Sequence, residues 1–301
     1  MLDHFPGLDW PTPYGLMLAL AGAAAWWFAR RRASGLGLDP SHVDFALPLA
    51  FAGGAVANLL IAAAVPPERL LEAQASVAEE FLRIPTLIPL ALLALFAYCR
   101  VAAIPVRRFA DVVVPAALLA SAIGYVGCFL AGCCFGDVVG SAAQLAAQAE
   151  PPVRLQAQTL PALSPEGLPW AVRFPPGSVV YGWQLALGLI QAGAASTLPV
   201  HPVQLYESAA ALLLCVGLLR LPPWMHRDGT LALAAFAGYA VLAFGLQFLR
   251  SDSAPLLGPL TATQLVYLGW LVAAMGLALL TRSGASAARG GDGARRLSVD
   301  R

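Results

Sequence analysis

Long apolar runs, separated by short polar segments, set the pattern of this chain. A helix that spans a bilayer needs about 20 mostly apolar residues. Seven stretches of roughly this kind, bounded by proline, glycine or arginine, lie at residues 14–29, 43–65, 85–98, 112–135, 203–219, 230–249 and 261–280. The pattern predicts an all-α fold, a polytopic membrane helix bundle with about seven transmembrane helices.

Three segments between or after these runs are not predicted to cross the membrane. Residues 66–83 begin with two prolines and are acidic and amphipathic, which predicts a helix on the outer face. Residues 137–202 are long enough for a small outer-face domain, in which residues 170–182 (WAVRFPPGSVVYG) are predicted to form an extended pair around a Pro-Gly turn. We expect residues 1–281 to form the membrane domain and residues 282–301 a disordered cytoplasmic tail.

Composition narrows the class of protein. The 301 residues are 59% hydrophobic and 12% charged, which excludes a water-soluble enzyme, because soluble domains carry about 25% charged residues. The net charge of +1 provides no basic surface for a nucleic-acid partner. We expect neither a cofactor nor a metal ion.

The arginines predict the orientation of the bundle. All 18 positive side chains are arginine. Thirteen fall on one side of the predicted spans, namely Arg30, Arg31, Arg32, Arg100, Arg107, Arg108, Arg220, Arg227, Arg282, Arg289, Arg295, Arg296 and Arg301. Five fall on the other side, namely Arg69, Arg83, Arg154, Arg173 and Arg250. The positive-inside rule then places the N-terminus outside and the C-terminus in the cytoplasm.

The first run is expected to remain attached as a span. A secretory signal peptide carries its basic residues before its apolar run. Here Asp3 and Asp9 precede the run and three arginines follow it, which is the reverse order.

A polar motif, His201-Pro202-Val203-Gln204-Leu205-Tyr206-Glu207, opens the fifth run. Proline suits the first turn of a helix, and the spacing of three places Gln204 and Glu207 on one face. A carboxylate inside a membrane is costly, so Glu207 is expected to line a polar cavity with His201, Gln204 and Tyr206, facing the end of the fourth run. The alternative is a structural clamp, in which Glu207 pairs with an arginine to hold helices together.

A glycine-rich segment, residues 124–136, closes the fourth run. Its four glycines permit close backbone approach, which serves either a ligand pocket or a tight helix crossing. Cys128, Cys133 and Cys134 lie at the predicted outer face as a disulfide or as free thiols. Their spacing is unlike the separated cysteine pairs of structural zinc sites.

Two further cues lie at the same predicted face. Tyr14 opens the first run, as a residue of the interfacial aromatic belt or as a ligand contact. Arg250, followed by Asp252, ends the sixth run, where a guanidinium can bind a phosphate or simply reach the lipid headgroups. Because four cues on four runs converge at one face, we expect a site there for an anionic headgroup.

At these residues the chain resembles the bacterial prolipoprotein diacylglyceryl transferase family. HPVQLYE, His201 to Glu207, is similar to the family's HPxQLYE motif, and Tyr14-Gly15-Leu16-Met17 is similar to its first-helix motif. Further positions fit the family's glycine-rich signature, its closing arginine–aspartate pair and its seventh-span glutamine, namely Gly127, Phe129, Leu130, Gly136, Arg250, Asp252 and Gln264. The resemblance covers about residues 12–281.

The resemblance implies a reaction and a location. Diacylglyceryl would pass from phosphatidylglycerol, or another anionic phospholipid, to the lipobox cysteine of an exported preprotein in the bacterial inner membrane, giving a thioether and glycerol phosphate. The expected catalytic residues are Cys128, Cys133, Cys134, His201, Tyr206 and Glu207. The expected substrate-binding residues are Tyr14, Gly127, Gly136, Gln204, Gln247, Arg250 and Asp252.

The chain also departs from the family pattern. Tyr125 and Ala243 stand where the family has arginine, Cys128 where it has asparagine, and Cys133 and Gln247 where it has glutamate. The family's His-Gly-Gly segment before the third helix has no counterpart. Two functions therefore stay open: a divergent transferase that uses the three cysteines as thiol acceptor or nucleophile, and a non-catalytic membrane protein that binds a headgroup or an exported peptide.

Overall fold

The computed structural model describes residues 13–64, 91–140, 168–222, 228–250 and 255–279, which form a helical protein. The helices are α1 Pro13–Gly35, α2 Ser41–Ala64, α3 Ala91–Val101, α4 Val106–Ala131, α5 Val179–Ala186, α6 Val203–Leu219, α7 Thr230–Leu246 and α8 Ala262–Leu279. A 3-10 turn, Gln247–Leu249, continues α7. A small antiparallel hairpin, β1 Pro255–Leu257 and β2 Leu260–Thr261, precedes α8.

Every apolar run predicted from the sequence overlaps one of these helices, and α5 lies inside the segment between the fourth and fifth runs. Within the described residues, α4, α7 with its 3-10 turn, and α8 are long and apolar enough to cross a membrane, and α3 and α6 are apolar but shorter. A helical membrane protein therefore fits the structure. The outer helix predicted over residues 66–83 and the tail 282–301 lie outside the described residues.

Helix α4 is the central helix, because it contacts α1, α6 and α7. The buried residues of α1 are four alanines spaced by four positions, Ala21, Ala25, Ala29 and Ala33, so one narrow small-residue face packs inward. The large side chains of α1, such as Trp26 and Trp27, remain exposed on the surface of the protein. Exposed apolar side chains are expected where a helix faces lipid.

A buried carboxylate ties α4 to the start of α7. Asp111 of α4 accepts hydrogen bonds from the backbone N–H groups of Gly229 and Ala232, both at 2.7 Å. The first N–H groups of a helix have no partner within the helix, so this side chain serves as a cap supplied by another helix. Arg32 of α1 donates to the Asp111 carbonyl at 2.6 Å, which adds the third helix to the junction.

The segment 170–182 differs from the extended pair predicted for it. Its first half is extended, and Val172 pairs with Val200 in an antiparallel bridge. Its second half is helical, because Ser178 caps α5 by accepting a hydrogen bond from the N–H of Tyr181 at 3.3 Å. The prediction was therefore wrong for the second half, where a serine after the Pro-Pro-Gly turn starts a helix.

Candidate active site

One short segment after α4 brings the ends of three helices together. The N–H of Gly136 donates to the carbonyl of His201 at 3.0 Å, and the N–H of Asp137 donates to the carbonyl of Leu249 at 2.8 Å. A Cβ added at Gly136 would lie 2.5 Å from Val203 and 2.7 Å from the Leu249 carbonyl oxygen. The close approach therefore requires glycine, and it joins the end of α4 to the start of α6 and the end of α7.

The face of α6 that carries Gln204 and Glu207 is buried against this junction. Gln204 has no exposed surface, and its Nε2 donates to the carbonyl of Cys133 at 2.6 Å. Glu207 is 5% exposed, and its Oε1 lies 3.6 Å from Nη1 of Arg250. The spacing of three along a helix predicts this shared face, and Arg250 is the partner that brings α7 to it.

His201 and Tyr206 lie beside this pair and contact each other. The two rings meet edge to face with centroids 6.3 Å apart. The hydroxyl of Tyr206 accepts a hydrogen bond from Nε1 of Trp170 at 2.7 Å. Tyr206 thus departs from the predicted four-residue cluster, because neighbouring residues of a helix point about 100° apart.

His201 is buried in the loop that leads into α6, with 7% of its surface exposed. Burial lowers the pKa of its imidazole below the ordinary value, and the nearby Asp137 carboxylate opposes that shift. The imidazole is therefore neutral at neutral pH, which is the form that can accept a proton.

Arg250 follows the 3-10 turn at the end of α7, and its backbone forms an antiparallel bridge with Gly136. Its side chain is 15% exposed, so the cation beside Glu207 is largely shielded from water. Gln247, one turn earlier, is 3% exposed. Asp252, the predicted partner of this arginine, lies outside the described residues.

The structure brings Cys128, Cys133 and Cys134 together. Their three sulfur atoms lie within 4.8 Å of one another. The five cysteines of the chain all fall in the described part, and each is a free thiol. Cysteine spacing along the chain does not reveal this cluster, because a turn after α4 brings the three side chains together.

Tyr14 and Gly127 form the contact between α1 and the end of α4. A Cβ at Gly127 would lie 2.9 Å from Met17 Cβ and 3.3 Å from Cδ2 of Tyr14, so the glycine allows this close crossing. The Tyr14 side chain is also within electrostatic range of the three cysteines. Both predicted binding residues therefore border the cysteine cluster.

Positions that depart from the family pattern have their own contacts. The hydroxyl of Tyr125 lies 3.0 Å from the hydroxyl of Tyr239 on α7, and Ala243 is buried in the same helix. Gln264, by contrast, fits the family pattern, and it forms a capping box at the start of α8, since its Oε1 accepts from the N–H of Thr261 and its own N–H donates to Thr261 Oγ1. This glutamine is therefore accounted for by helix capping.

Two residues at the junction were not singled out by the sequence patterns. Asp137 is 5% exposed, and its backbone links His201 to Leu249. Its position directly after Gly136, the last residue of the glycine-rich segment, could have indicated that it lies at the site. Trp170, which holds the Tyr206 hydroxyl, lies in the long segment between α4 and α6, and no local pattern distinguishes it from other exposed aromatic residues.

Similarity to known proteins identifies the family of this chain. The family model for prolipoprotein diacylglyceryl transferase matches residues 10–280. The chain belongs to this family. It is also similar to the phosphatidylglycerol–prolipoprotein diacylglyceryl transferase of Clostridium tetani, with 25% identity over 263 residues that cover 85% of this chain and 87% of that protein. The resemblance seen in the sequence is confirmed, and the chain is a membrane protein of a transferase family of lipoprotein biosynthesis.

Proposed function

We propose that this protein transfers diacylglyceryl from phosphatidylglycerol to the lipobox cysteine of an exported lipoprotein precursor. The observation that carries the proposal is the buried pair of Arg250 and Glu207 at the end of the HPVQLYE motif. A shielded guanidinium binds a phosphate more strongly than one in open water, because less dielectric screening separates the charges. The related Clostridium tetani protein is named for phosphatidylglycerol as the lipid and a prolipoprotein as the acceptor.

Arg250 holds the phosphate that becomes the leaving group. The phosphodiester carries one negative charge, and a second develops on the departing oxygen as the ester bond to the diacylglyceryl carbon breaks; a fixed cation stabilises that charge in the transition state. Glu207 contacts the guanidinium through Oε1 and offsets its positive charge. The glutamate is thus a positioning residue for Arg250.

His201 receives the proton of the acceptor thiol. Its neutral imidazole is available at neutral pH because burial lowers its pKa. Tyr206 fixes one face of the ring, and Trp170 in turn fixes Tyr206. Tyr206 therefore supports His201 from the first turn of α6, and Trp170 holds Tyr206 from the segment that precedes that helix.

The three cysteines lie beside the place of transfer. A cysteine of the enzyme that took up the diacylglyceryl group would form a thioether, which gives no route onward to a second thiol. We therefore assign these thiols a role at the catalytic centre other than that of a covalent carrier. The remaining contacts to the lipid come from Tyr14, Gly127, Gly136, Gln204, Gln247 and Asp252.

The same proposal includes the membrane arrangement. Seven spans cross the inner membrane of a bacterium with the N-terminus outside, residues 137–202 form an outer insertion in the membrane domain 1–281, and residues 282–301 form a cytoplasmic tail. The junction of α4, α6 and α7 then faces outward, where an exported precursor is available. The distribution of the arginines supports this orientation.

The test is a transfer assay with the full chain in phosphatidylglycerol liposomes. A lipobox peptide is added to lipid that carries a label in its diacylglyceryl part, and the product is identified by mass as a labelled thioether. We expect transfer well above that of a heat-denatured control. If the peptide stays unmodified while the lipid is bound, the proposal fails in favour of a protein that binds headgroups without catalysis.

A matched pair of variants assigns the activity to the junction. Arg250→Ala removes the cation beside Glu207. Arg108→Ala removes an exposed arginine at the other end of α4, where it pairs with Asp228. We expect loss of transfer in the first variant and retention in the second. Equal activity in the two variants would exclude Arg250 as the phosphate ligand.

A further inference from the structure

Cys128, Cys133 and Cys134 form a cluster that the family pattern does not account for. Two of them replace the asparagine and the glutamate of that pattern, so the thiols are a property of this chain. Their sulfur atoms lie within 4.8 Å of one another at a junction built from three helices. Three convergent thiols are a ligand set for a soft metal ion.

The end of α4 explains why the three side chains converge. Gly132 has a left-handed backbone with φ of 67°, and the N–H of Cys133 donates to the carbonyl of Cys128 at 3.1 Å. This is the Schellman pattern, in which the residue after the glycine contacts a residue of the last helical turn. Cys134 then also has a positive φ of 55°, which turns the chain back again beside the first two thiols.

The turn is held from several sides. The carbonyl of Gly132 accepts a hydrogen bond from the N–H of Val180 at 3.0 Å, and the carbonyl of Cys133 accepts one from Gln204. A positive φ at a residue other than glycine is unfavourable and persists where the surrounding structure enforces it. The thiols are therefore arranged in advance by contacts from α5 and α6.

Charge at the junction also suits a set of thiolates. Arg250 lies within electrostatic range of Cys133 and Cys134. Three thiolates around one divalent ion leave a net charge of −1, which this guanidinium partly offsets. The cluster therefore does not require an isolated negative charge in an apolar region.

We propose that Cys128, Cys133 and Cys134 bind a Zn²⁺ ion and leave its fourth position open to the thiol of the acceptor cysteine. Tetrahedral Zn–S bonds of about 2.3 Å place thiolate sulfurs about 3.8 Å apart, which small side-chain rotations would achieve here. Thiolates select both Zn²⁺ and Cu⁺. We choose Zn²⁺ because its preference for four ligands leaves one position vacant, as in catalytic zinc sites.

This inference rests on the proposed transferase function and assigns the activation of the acceptor. The acceptor thiol binds the ion and loses its proton, which passes to His201, because a thiol bound to zinc is deprotonated. The resulting thiolate forms a bond to the diacylglyceryl carbon that carries the phosphate oxygen. That carbon–oxygen bond breaks, and glycerol phosphate leaves with the electron pair.

The binding experiment uses the full chain purified in detergent. The protein is stripped with a chelator, loaded with Zn²⁺ and desalted, and we expect about one retained equivalent by elemental analysis. Changing Cys128, Cys133 or Cys134 singly to serine should weaken zinc affinity by about a hundredfold or more, since even outer-shell changes cost 10- to 100-fold. Cys99→Ser, a buried cysteine outside the cluster, is the matched control and should retain the ion.

A second measurement avoids any dependence on how the variants fold. In the unmodified protein, bound Zn²⁺ should slow alkylation of the three cluster thiols, as read by mass spectrometry of the peptides. Three results would each overturn the assignment. They are the absence of stoichiometric zinc, an equal loss of zinc in Cys99→Ser, and retention of Cu⁺ in preference to Zn²⁺.

The liposome assay separates this inference from the proposed function. If both hold, chelation stops the transfer and Zn²⁺ restores it. Transfer that persists after complete removal of metal would reject the zinc role and leave the transferase function intact. Stoichiometric zinc in a protein that shows no transfer would reject the transferase function and support a metal site at the cluster.

Discussion

Arg250 and Glu207 lie 3.6 Å apart where both side chains are mostly shielded from solvent. Removing one member of such a pair leaves the other ion buried and uncompensated, which is more costly than the pair is favourable. The two residues are therefore coupled, and each substitution reports on the charge that remains.

We predict that Arg250→Ala weakens binding of phosphatidylglycerol by tenfold to a hundredfold. A charge-assisted hydrogen bond contributes about 1.5–3 kcal/mol, which corresponds to that range. The measurement is a titration of detergent-solubilised protein with short-chain phosphatidylglycerol, with Arg108→Ala as the control. Unchanged affinity would mean that Arg250 does not contact the headgroup.

We predict that Glu207→Gln keeps the fold and abolishes transfer. The amide preserves the shape and a hydrogen-bonding group but no longer carries the charge that positions Arg250. Thermal unfolding and the liposome assay are measured side by side, with Asp228→Asn as an exposed carboxylate control. A large fall in melting temperature with lipid binding intact would instead identify Glu207 as a structural clamp.

We predict that His201 makes stability depend on pH below 6.5, the ordinary value for a histidine. Its folded pKa is lowered by burial, so the unfolded chain binds this proton more readily than the folded protein does. The free energy of unfolding should fall as pH drops from about 6.5 through the lower folded pKa. Asp137, whose charge opposes the shift, and the ring of Tyr206 both lie near the imidazole.

The measurement compares denaturant unfolding of the protein and of His201→Asn between pH 7.5 and pH 5. The variant should lose less stability over this interval than the unmodified protein does. Parallel pH profiles for the two proteins would show that His201 does not contribute.

At the scale of elements, the packing of the helix ends depends on a glycine. It follows α4 and contacts both the start of α6 and the end of α7. Gly136 donates to His201, and its backbone forms a bridge with that of Arg250. The backbone at Gly136 therefore holds both His201, at the start of the HPVQLYE motif, and Arg250, which pairs with Glu207 at its end. Small residues are the means by which membrane helices and their ends approach closely.

We predict that Gly136→Ala destabilises the protein by about 1–3 kcal/mol, the usual cost of overpacking. The added Cβ would lie 2.5 Å from Val203 and 2.6 Å from the Cβ of His201. Gly124→Ala in the same α4 helix is the control, because its Cβ would meet no atom within 4 Å. Helix propensity should make the control neutral or about 0.5–1 kcal/mol more stable.

Thermal unfolding in detergent provides the comparison between these two glycine variants. Equal melting temperatures for the two would contradict the contact geometry at the α4 end.

At the scale of the whole molecule, orientation decides whether the junction meets exported proteins. Thirteen of the 18 arginines lie on one predicted side, including the triple arginine at the end of α1. Arginine near a span resists translocation, so this side is expected to face the cytoplasm.

We predict that reporter fusions at residues 150 and 290 report opposite sides of the membrane. A periplasmic reporter should be active at residue 150, and a cytoplasmic reporter should be active at residue 290. Fusion at residue 103, between α3 and α4, is an internal control for the cytoplasmic side. If the reporters at residues 150 and 290 lie on the same side of the membrane, the predicted topology is wrong.

The sequence by itself indicated the seven long apolar helical segments and the motif that carries the family resemblance, but it did not indicate the short helix α5. The predicted run 203–219 coincides with α6, Val203–Leu219, because Pro202 before it and Arg220 after it mark its ends. The spacing of Gln204 and Glu207 determined their common face, since helical periodicity is a local property. The HPVQLYE motif likewise indicated the family, which the match over residues 10–280 confirms.

Only the tertiary structure decided which residues meet. Arg250 and Glu207 are 43 positions apart, and their contact depends on how α6 and α7 end at the same segment. The three thiols converge because a Schellman turn reverses the chain after α4, a geometry that cysteine spacing alone does not reveal. Periodicity arises within one helix, whereas the site arises from backbone hydrogen bonds between helix ends, and those depend on the folded arrangement of the whole chain.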